Sequence, residues 1–379
     1  MENPKKIIID FDNRIEKSRT QIYFTPGPSQ LYHTYQMHLQ TAMNKHLGSI
    51  NHRSNVFREI YEYTDTQLRL LLNIPSTHSI FFASSATEIW ERILLNIVEQ
   101  NSFHFVNGAF SKKFFNFSTQ LKKKPSCVLM EDGKGFDMAN IDIPTDNELI
   151  CTTQNETSTG VQLPSEDLYL LKNRYPNQLL CTDLVSIAPY SEIDYNLVDC
   201  TFFSVQKAFG MPPGLGVLIV NNDCIEKSKG LNAKGINIGA HNTFEAFQSN
   251  YFRFETPSTP NIVAIYILGK IAADYNSIGI QQIRKEIKAK ATDLYAFANT
   301  SEFFKPFVVE SKYQSDTIVV LDSKVDSAAV ISYLSKQGCT IGSGYGVQKN
   351  NQLRIANFPA TSPQEMSHLI ELLSSYKFP

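Results

Sequence analysis

The sequence has little net charge and few of the residue patterns that mark special classes of protein. Its 379 residues carry 35 Lys and Arg against 37 Asp and Glu, which leaves a formal charge of -2. With so little net charge, the chain has no overall electrostatic field that would attract nucleic acid or an anionic membrane. We therefore expect neither as a partner, and we expect small molecules and a second copy of the same chain instead.

Disulfide, metal and membrane signals are also missing. The six cysteines form no CxxC pair and are scattered along the chain, at Cys127, Cys151, Cys181, Cys200, Cys224 and Cys339. Reduced thiols in the protein core explain this pattern better than a disulfide framework or a metal site. The apolar run at residues 7–9 is too short for a signal sequence, and no segment approaches the roughly 18 apolar residues of a membrane span. We expect a cytoplasmic protein without a metal site.

Short apolar segments recur between about residues 79 and 220, and they predict seven β-strands. These strands are expected at residues 79–83, 103–106, 127–129, 149–152, 179–182, 201–204 and 217–220. Several are apolar along their whole length, as is typical of a mainly parallel sheet that helices cover on both faces. A helical pattern at residues 88–99 lies between two of them. The predicted fold class is α/β, with a seven-stranded, mainly parallel sheet in a large domain.

The last third of the chain has a different pattern. Turn-rich residues 256–260 precede a long helical pattern at 262–275, which predicts a link between two domains. Beyond it, strands are expected at 317–321, 340–341 and 353–356, with a helix near 327–336. Ser362-Pro363-Gln364-Glu365 has the sequence of a capping box and predicts the start of a last helix. We expect an N-terminal arm (1–21), a large domain (22–260), and a linking helix with a small α+β domain (261–379).

Lys207 and Asp183 are the first candidates for chemistry. Lys207 directly follows one predicted strand, and Asp183 ends another. Burial would lower the pKa of the lysine and make it a nucleophile toward an aldehyde. In an open α/β sheet, the carboxyl ends of neighbouring parallel strands face one crevice, so the two side chains can meet there. A lysine that holds an aldehyde and a carboxylate that keeps a pyridine nitrogen protonated are what pyridoxal phosphate needs to act as an electron sink.

A third segment, Ala83-Ser84-Ser85-Ala86-Thr87-Glu88, joins a predicted strand to a predicted helix. Backbone N–H groups at such a helix start can hold a phosphate without a cationic side chain. Each of the three features also has an ordinary explanation. Ser, Thr and Asp open many helices simply as caps, and most lysines are surface charges.

Taken in order, these segments resemble the class V (fold type I) aminotransferases, and among them the phosphoserine aminotransferase group. The resemblance spans nearly the whole chain. Besides the lysine segment Ser204-Val205-Gln206-Lys207, it is carried by Tyr23-Phe24-Thr25-Pro26-Gly27-Pro28, Asn51-His52-Arg53-Ser54, Asn155-Glu156-Thr157 and Arg354-Ile355-Ala356-Asn357-Phe358-Pro359.

The resemblance implies pyridoxal 5'-phosphate as the cofactor. Lys207 would hold it as a Schiff base, and Asp183 would pair with the pyridinium nitrogen. Further contacts would come from Ala86, Thr87 and Gln206 at the phosphate, Phe110 on the ring face, Thr157 near the 3-oxygen, and Thr256 from a second subunit. The implied protein is a homodimer whose two sites lie at the interface.

The implied reaction is a two-stage amino transfer from glutamate to a 2-oxo acid. In the phosphoserine aminotransferase group the acceptor is 3-phosphohydroxypyruvate, and the product serves serine biosynthesis. Lys207 would act as general base and acid. Arg354 would bind the substrate α-carboxylate, for which a guanidinium is well shaped. His52 and Arg53, reaching across the interface, would bind the substrate phosphate.

Two positions depart from the family pattern. Thr87 stands where some phosphoserine aminotransferases have arginine, which removes a possible contact to a substrate phosphate. Glu255-Thr256-Pro257 stands where the family has Asn-Thr-Pro. This puts a carboxylate close to an expected cofactor phosphate, unless Glu255 points away.

Other functions share parts of this sequence pattern. An alanine or serine:glyoxylate aminotransferase suits the lysine segment equally well. A non-catalytic dimer that keeps the cofactor as a structural ligand would not need both Lys207 and Asp183. Ser204 and Lys207 also fit the S-x-x-K motif of acyl-transfer enzymes, but its companion motifs are absent. A cysteine desulfurase needs a reactive cysteine on a mobile loop, whereas Cys339 lies in a predicted strand.

Overall fold

In the part that the structure describes, the chain folds into a seven-stranded sheet, a five-stranded sheet and a two-stranded sheet (Asn155–Glu156 with Val161–Gln162), with helices packed around them. The computed structural model describes residues 21–376. The expected N-terminal arm, apart from Gln21, lies outside the described residues. Within the described residues, no helix is long and apolar enough to cross a membrane.

The helices and strands of residues 21–376 are as follows. The strands are β1 (Ile22–Phe24), β2 (His78–Ala83), β3 (Asn101–Val106), β4 (Lys124–Leu129), β5 (Leu149–Thr153), β6 (Asn155–Glu156), β7 (Val161–Gln162), β8 (Leu179–Asp183), β9 (Cys200–Ser204), β10 (Gly216–Asn221), β11 (Phe304–Pro306), β12 (Ile318–Ser323), β13 (Cys339–Ser343) and β14 (Gln352–Ala356). The α-helices are α1 (Tyr35–Asn44), α2 (Asn55–Leu72), α3 (Ala86–Ile97), α4 (Ala109–Gln120), α5 (Ser165–Arg174), α6 (Asn222–Ala233), α7 (Phe244–Tyr251), α8 (Ile262–Ile278), α9 (Ile280–Thr300), α10 (Ser327–Lys336) and α11 (Pro363–Ser375). Short 3-10 helices occur at Leu47–Ser49, Met138–Asn140, Ser311–Tyr313 and Gly346–Gln348.

The larger sheet has seven strands in the order β2-β10-β9-β8-β5-β3-β4. Strand β10 runs antiparallel to both of its neighbours, whereas the pairs from β9 to β4 are parallel. All seven strands predicted from the apolar segments are present, and the α/β fold class is confirmed. Phe202 and Phe203 are fully buried in two different hydrophobic clusters. Helices therefore cover both faces of the sheet, which explains the uninterrupted apolar runs.

The smaller sheet has five strands in the order β1-β13-β14-β12-β11. Its strands near the C-terminus and helix α10 confirm the elements predicted there. Ser362 and Glu365 form the predicted capping box at the start of α11. The N-terminal strand β1 pairs in parallel with β13, with Ile22 opposite Cys339. Residues 22–24 therefore belong to the sheet of the C-terminal region, and the expected domain boundaries stay a prediction.

The topology brings several loops to one edge of the larger sheet. Strands β8 and β9 are adjacent and parallel, so Asp183 at the end of β8 lies beside the segment that follows Ser204 at the end of β9. Strand β2 runs in the same direction, because β10 is antiparallel to both β2 and β9. The loop from β2 into α3 therefore opens at the same edge. This is the edge at which open α/β sheets bind ligands.

Candidate active site

A cavity of about 220 Å³ lies at this edge of the larger sheet. The sequence-predicted residues that line it are Ala86, Thr87, Phe110, Thr157, Asp183, Gln206 and Lys207. The structure thus brings together, around one cavity, residues that lie up to 121 positions apart between Ala86 and Lys207. Gly27 and Trp90 also line the cavity, and the sequence pattern indicates no role for either.

Lys207 is buried, with 9% of its surface exposed. Its Nζ donates a hydrogen bond to the backbone carbonyl of Pro26. Burial, and after it the charge of Arg354, lower the pKa of the amine, and Asp183 acts in the opposite direction; the net pKa is about 8. Gly27 has a φ of +143°, and a Cβ at that position would overlap the lysine amine. Only glycine therefore leaves room for Lys207 in this position.

Asp183 is the buried carboxylate at the end of β8. Its Oδ1 accepts a 2.8 Å hydrogen bond from the backbone N–H of Val185, and its Oδ2 accepts one of 3.2 Å from Nε1 of Trp90. Burial raises the pKa of Asp183 to about 7, against the effect of these two donors. The hydrogen bond from the N–H of Val185 is the kind that a capping aspartate forms with the backbone just after it. Capping alone does not explain why this carboxylate is buried. A protonated ring nitrogen placed against this carboxylate would stabilise its charged form.

The start of α3 forms a cradle for an anion. Ser85 is the N-cap and accepts a 3.1 Å hydrogen bond from the backbone N–H of Glu88, and the N–H of Ala86 donates to Oγ of Ser204. The positive end of the helix dipole points into the cavity here. The side-chain amide of Gln206 has a buried oxygen without a hydrogen-bond partner among the described residues, and turning this amide over would place its NH2 donors at the same point. These groups fit a phosphate, so the cavity fits pyridoxal phosphate at its phosphate end and at its ring nitrogen.

Glu156 fixes the opposite wall of the cavity, a role that the sequence motif did not reveal. Its carboxylate is fully buried and accepts hydrogen bonds from the backbone N–H groups of Phe110 (3.2 Å) and Ser111 (2.8 Å). It also accepts a 2.7 Å hydrogen bond from Oγ of Ser158, in the turn that carries Thr157. One carboxylate thus holds both the start of α4 and this turn, and thereby the two residues expected on the ring face and near the 3-oxygen.

Arg354 reaches the same crevice from the smaller sheet. Its Nε donates to the carbonyl of Ser343 at 2.7 Å, and its Nη1 donates to the carbonyl of Thr157 at 3.2 Å. The guanidinium also lies 5.3 Å from the ring centre of Tyr345. Burial lowers the pKa of Arg354, yet a guanidinium stays charged at neutral pH. A cation is therefore held beside Lys207, where a substrate carboxylate would need it.

His52, Arg53 and Thr256 are not among the residues that line the cavity of the same chain. They lie close to one another elsewhere, because His52 contacts Thr259 (Nδ1 to Oγ1, 3.4 Å) and Nη2 of Arg53 donates to the carbonyl of Pro257 at 3.4 Å. The Thr256 hydroxyl donates to the carbonyl of Ser258 at 2.7 Å. A single chain therefore does not bring these residues to Lys207.

Glu255, the departure from the family pattern, forms ion pairs within its own chain. Its carboxylate accepts 2.6 Å hydrogen bonds from both Arg53 and Arg58. Burial alone would raise its pKa, but the hydrogen bonds from Arg58 and Arg53 outweigh burial and lower it. The carboxylate is thus neutralised by arginines rather than left facing an anion.

The chain is similar in sequence to proteins of a known enzyme family. The model of the family described as aminotransferase class-V matches residues 127–356. The phosphoserine aminotransferase of Rhodococcus opacus (strain B4) is 23% identical over 350 residues, covering 91% of this chain and 92% of the relative. The putative phosphoserine aminotransferase of Mycobacterium leprae (strain TN) is 26% identical over 361 residues, covering 92% of each.

Solved structures of similar fold include a phosphoserine aminotransferase, SerC, from Cytophaga hutchinsonii ATCC 33406. It is 41% identical, with a TM-score of 0.94, and the match covers 95% of this chain and 100% of that one. A ureidoglycine-glyoxylate aminotransferase from Bacillus subtilis has a TM-score of 0.81 at 16% identity, over 94% of this chain and 93% of that one. The second likeness shows the shared fold alone.

Proposed function

Because the chain belongs to the class V aminotransferase family and is a pyridoxal-phosphate-dependent transaminase, we propose that it makes O-phosphoserine for serine biosynthesis. Glutamate is the proposed amino donor, and 3-phosphohydroxypyruvate is the proposed acceptor. The observation that carries this choice of substrates is the similarity, over almost the whole chain, to the solved phosphoserine aminotransferase. The chemistry of the cavity suits the transaminase reaction itself.

Lys207, Asp183 and Arg354 have the central roles in the proposed reaction. When bound, pyridoxal phosphate supplies an electron sink next to the substrate amino group. Lys207, the amine proposed to hold the cofactor, takes the proton from the substrate α-carbon as general base and returns it as general acid. A pKa of about 8 suits both steps near neutral pH. Arg354 binds the substrate α-carboxylate, and Asp183 keeps the ring nitrogen protonated.

The remaining wall residues position the cofactor in this proposal. Ala86 and Thr87 at the start of α3, together with Gln206, surround the phosphate. Phe110 packs on the ring face, held there by Glu156, and Thr157 lies near the 3-oxygen. These assignments rest on the lining of the cavity and on the hydrogen bonds of Glu156.

The second subunit completes each site in the proposed homodimer. His52, Arg53 and Thr256 lie together but away from the cavity of their own chain. A two-fold axis that placed this cluster at the partner's cavity would add a hydroxyl to the cofactor phosphate and two cationic side chains to the substrate phosphate. The cytoplasmic location expected from the sequence stays a prediction.

A glyoxylate-type aminotransferase is the alternative function, and one observation favours it. The cavity is lined by a single cationic side chain, that of Lys207, among the described residues. Arg53, the main candidate for the substrate phosphate, already donates to Glu255. A pocket with fewer free cations suits an acceptor without a second anionic group.

Steady-state kinetics with glutamate as the donor distinguishes the two functions. The acceptors compared are 3-phosphohydroxypyruvate, pyruvate and glyoxylate. We expect kcat/KM to be highest for 3-phosphohydroxypyruvate by at least about ten-fold, which corresponds to about 1.4 kcal/mol of transition-state binding. A preference for pyruvate or glyoxylate would reject the phosphoserine assignment and favour the alternative.

A further inference from the structure

Tyr345 connects the proposed substrate residue Arg354 with the proposed cofactor residue Phe110. It lies in the loop between β13 and β14. Its ring centre is 5.4 Å from that of Phe110 and 5.3 Å from the guanidinium carbon of Arg354. A substrate whose α-carboxylate binds Arg354 therefore has Tyr345 beside it.

Lys113 places a second cation on the same aromatic ring. It lies one helical turn after Phe110 in α4, so both side chains are on the same face of that helix. Its Nζ donates a 3.0 Å hydrogen bond to the Tyr345 hydroxyl. The ammonium lies 5.2 Å from the ring centre of Phe110 and 5.6 Å from that of Tyr345. Arg354 and Lys113 thus both lie against one tyrosine, which in turn contacts Phe110 in the wall of the cavity.

The charge of Lys113 is not neutralised by any carboxylate among residues 21–376. Its side chain is exposed, so the ammonium is open to a ligand from solution. Arg53 differs in this respect, because its guanidinium forms a 2.6 Å ion pair with the buried Glu255. Of these two cations, Lys113 is the one that an anionic ligand could bind without first breaking an ion pair.

We propose that Lys113 and the Tyr345 hydroxyl bind the distal anionic group of both substrates, the γ-carboxylate of the donor and the phosphate of the acceptor. This inference rests on the proposed function, in which both substrates have two anionic ends and use one site in turn. Arg354 binds the α-carboxylate. Lys113 binds the other end, alongside the His52 and Arg53 side chains that the partner subunit supplies in the proposed dimer. An ammonium is a point charge without a fixed fork of donors, so it can pair with a planar carboxylate and with a tetrahedral phosphate.

The test compares two amino donors on the holoenzyme in single-turnover experiments. Glutamate has the distal carboxylate and alanine lacks it, and loss of the bound cofactor's near-visible absorption reports both reactions. We expect Lys113→Met to lower the second-order rate constant for glutamate about ten-fold or more, as for loss of a charge-assisted hydrogen bond. The rate constant for alanine should change less than about two-fold, since alanine makes only the Arg354 contact. Lys113→Arg should restore most of the glutamate rate.

The neighbouring residue provides a matched control. Lys112 is also exposed and lies in the same helix, but its charge acts on Asp132. Lys112→Met removes the same charge and should leave the glutamate rate unchanged. Tyr345→Phe should give a smaller loss with glutamate than Lys113→Met, because only a neutral donor is removed. Calorimetric binding of glutarate, a dicarboxylate without an amino group, should weaken in Lys113→Met by the same factor as the glutamate rate.

Several results would overturn the inference. Equal losses for glutamate and alanine would show that Lys113 only supports Phe110, and an unchanged glutamate rate would exclude the contact. The same loss in Lys112→Met would indicate a general charge effect. A wrong proposed function would be recognised in a different experiment, the comparison of acceptors with the wild-type enzyme. The ratio of glutamate to alanine rates decides the role of Lys113 whichever acceptor is preferred.

Discussion

Nε1 of Trp90 donates a 3.2 Å hydrogen bond to Oδ2 of Asp183, at the edge of the larger sheet where Lys207 also lies. The other carboxylate oxygen, Oδ1, accepts a 2.8 Å hydrogen bond from the backbone N–H of Val185. Each oxygen therefore has one fixed donor, and the carboxylate is oriented before any cofactor binds. Because burial still raises the pKa of Asp183 to about 7, a cation at this position would have a large effect on the charge of the group.

Replacement of Asp183 by asparagine tests whether this carboxylate acts on the cofactor. Asp183→Asn keeps the shape and loses the charge that would hold the ring nitrogen protonated. We expect weaker cofactor binding and a fall in kcat of about 100-fold or more, which corresponds to about 2.7 kcal/mol of barrier. Trp90→Phe, which removes one hydrogen bond and keeps the charge, should cost much less. Unchanged kinetics in Asp183→Asn would mean that Asp183 is only a local cap.

The pH dependence of cofactor binding follows from the lowered pKa of Lys207. A lysine amine attacks an aldehyde only when it is neutral, so the rate at which the apoprotein takes up the cofactor should rise with pH and level off above about 8. The positive charge of Arg354 favours the neutral amine, so Arg354→Gln should move the midpoint to higher pH. Asp183 favours the charged amine, so Asp183→Asn should move it to lower pH. Stopped-flow absorbance measures these profiles, and a wild-type midpoint near 10 would contradict the burial of the amine.

The proposed dimer interface predicts the effect of one exposed aromatic residue. Phe252 has 73% of its surface exposed. It lies two residues after Asn250, which accepts a 2.9 Å hydrogen bond from Nη1 of Arg53, and four residues before Thr256. Phe252→Glu should produce monomers at micromolar concentration and lower cofactor affinity together, because each site would lose its partner residues. Leu170→Glu, at an exposed position in α5, is the matched control and should leave the dimer intact. Analytical ultracentrifugation reads out the assembly, and a fully active wild-type monomer would disprove the interface.

Replacement of Arg53 should affect phosphorylated and unphosphorylated acceptors differently. If the partner's Arg53 binds the substrate phosphate, Arg53→Ala should lower kcat/KM for 3-phosphohydroxypyruvate by about thirty-fold or more, since truncating a desolvated charge pair costs about 2 to 5 kcal/mol. Turnover of pyruvate should barely change. Arg58→Ala is the control, because Arg58 pairs with the same carboxylate of Glu255. Equal losses in the two variants for all acceptors would show that Arg53 serves the structure around Glu255.

The fold could be predicted largely from local patterns. Strands such as Leu179–Asp183 and Cys200–Ser204 are buried along their length, so their apolar runs were visible without any knowledge of neighbours. The capping box at Ser362 is also a local signal. The position of β1 was not predictable in this way. Its pairing with β13 joins residues more than 300 positions apart, and nothing in three residues of sequence specifies such a partner.

Some residues of the candidate site could likewise be predicted from local sequence, and others depend on the tertiary fold. Lys207 and Asp183 follow from their places at strand ends, but the contact of Trp90 with Asp183 depends on how α3 packs against the sheet. Lys113 and Tyr345 meet only because a loop of the smaller sheet reaches α4. The sequence motif contained Glu156, yet its function as the anchor of Phe110 depends on the close approach of two loops. The roles proposed for Arg53 and Thr256 in the partner subunit require a second chain.

The position of the cofactor is the central claim, and chemical mapping tests it most directly. Borohydride reduction of the holoenzyme, followed by peptide mass spectrometry, should place the reduced cofactor on Lys207 alone. Lys207→Ala should keep the fold, as judged by circular dichroism, carry no label and show no transamination, since it lacks both the amine that holds the cofactor and the proton carrier. A label on a different lysine, or wild-type turnover by Lys207→Ala, would contradict the account.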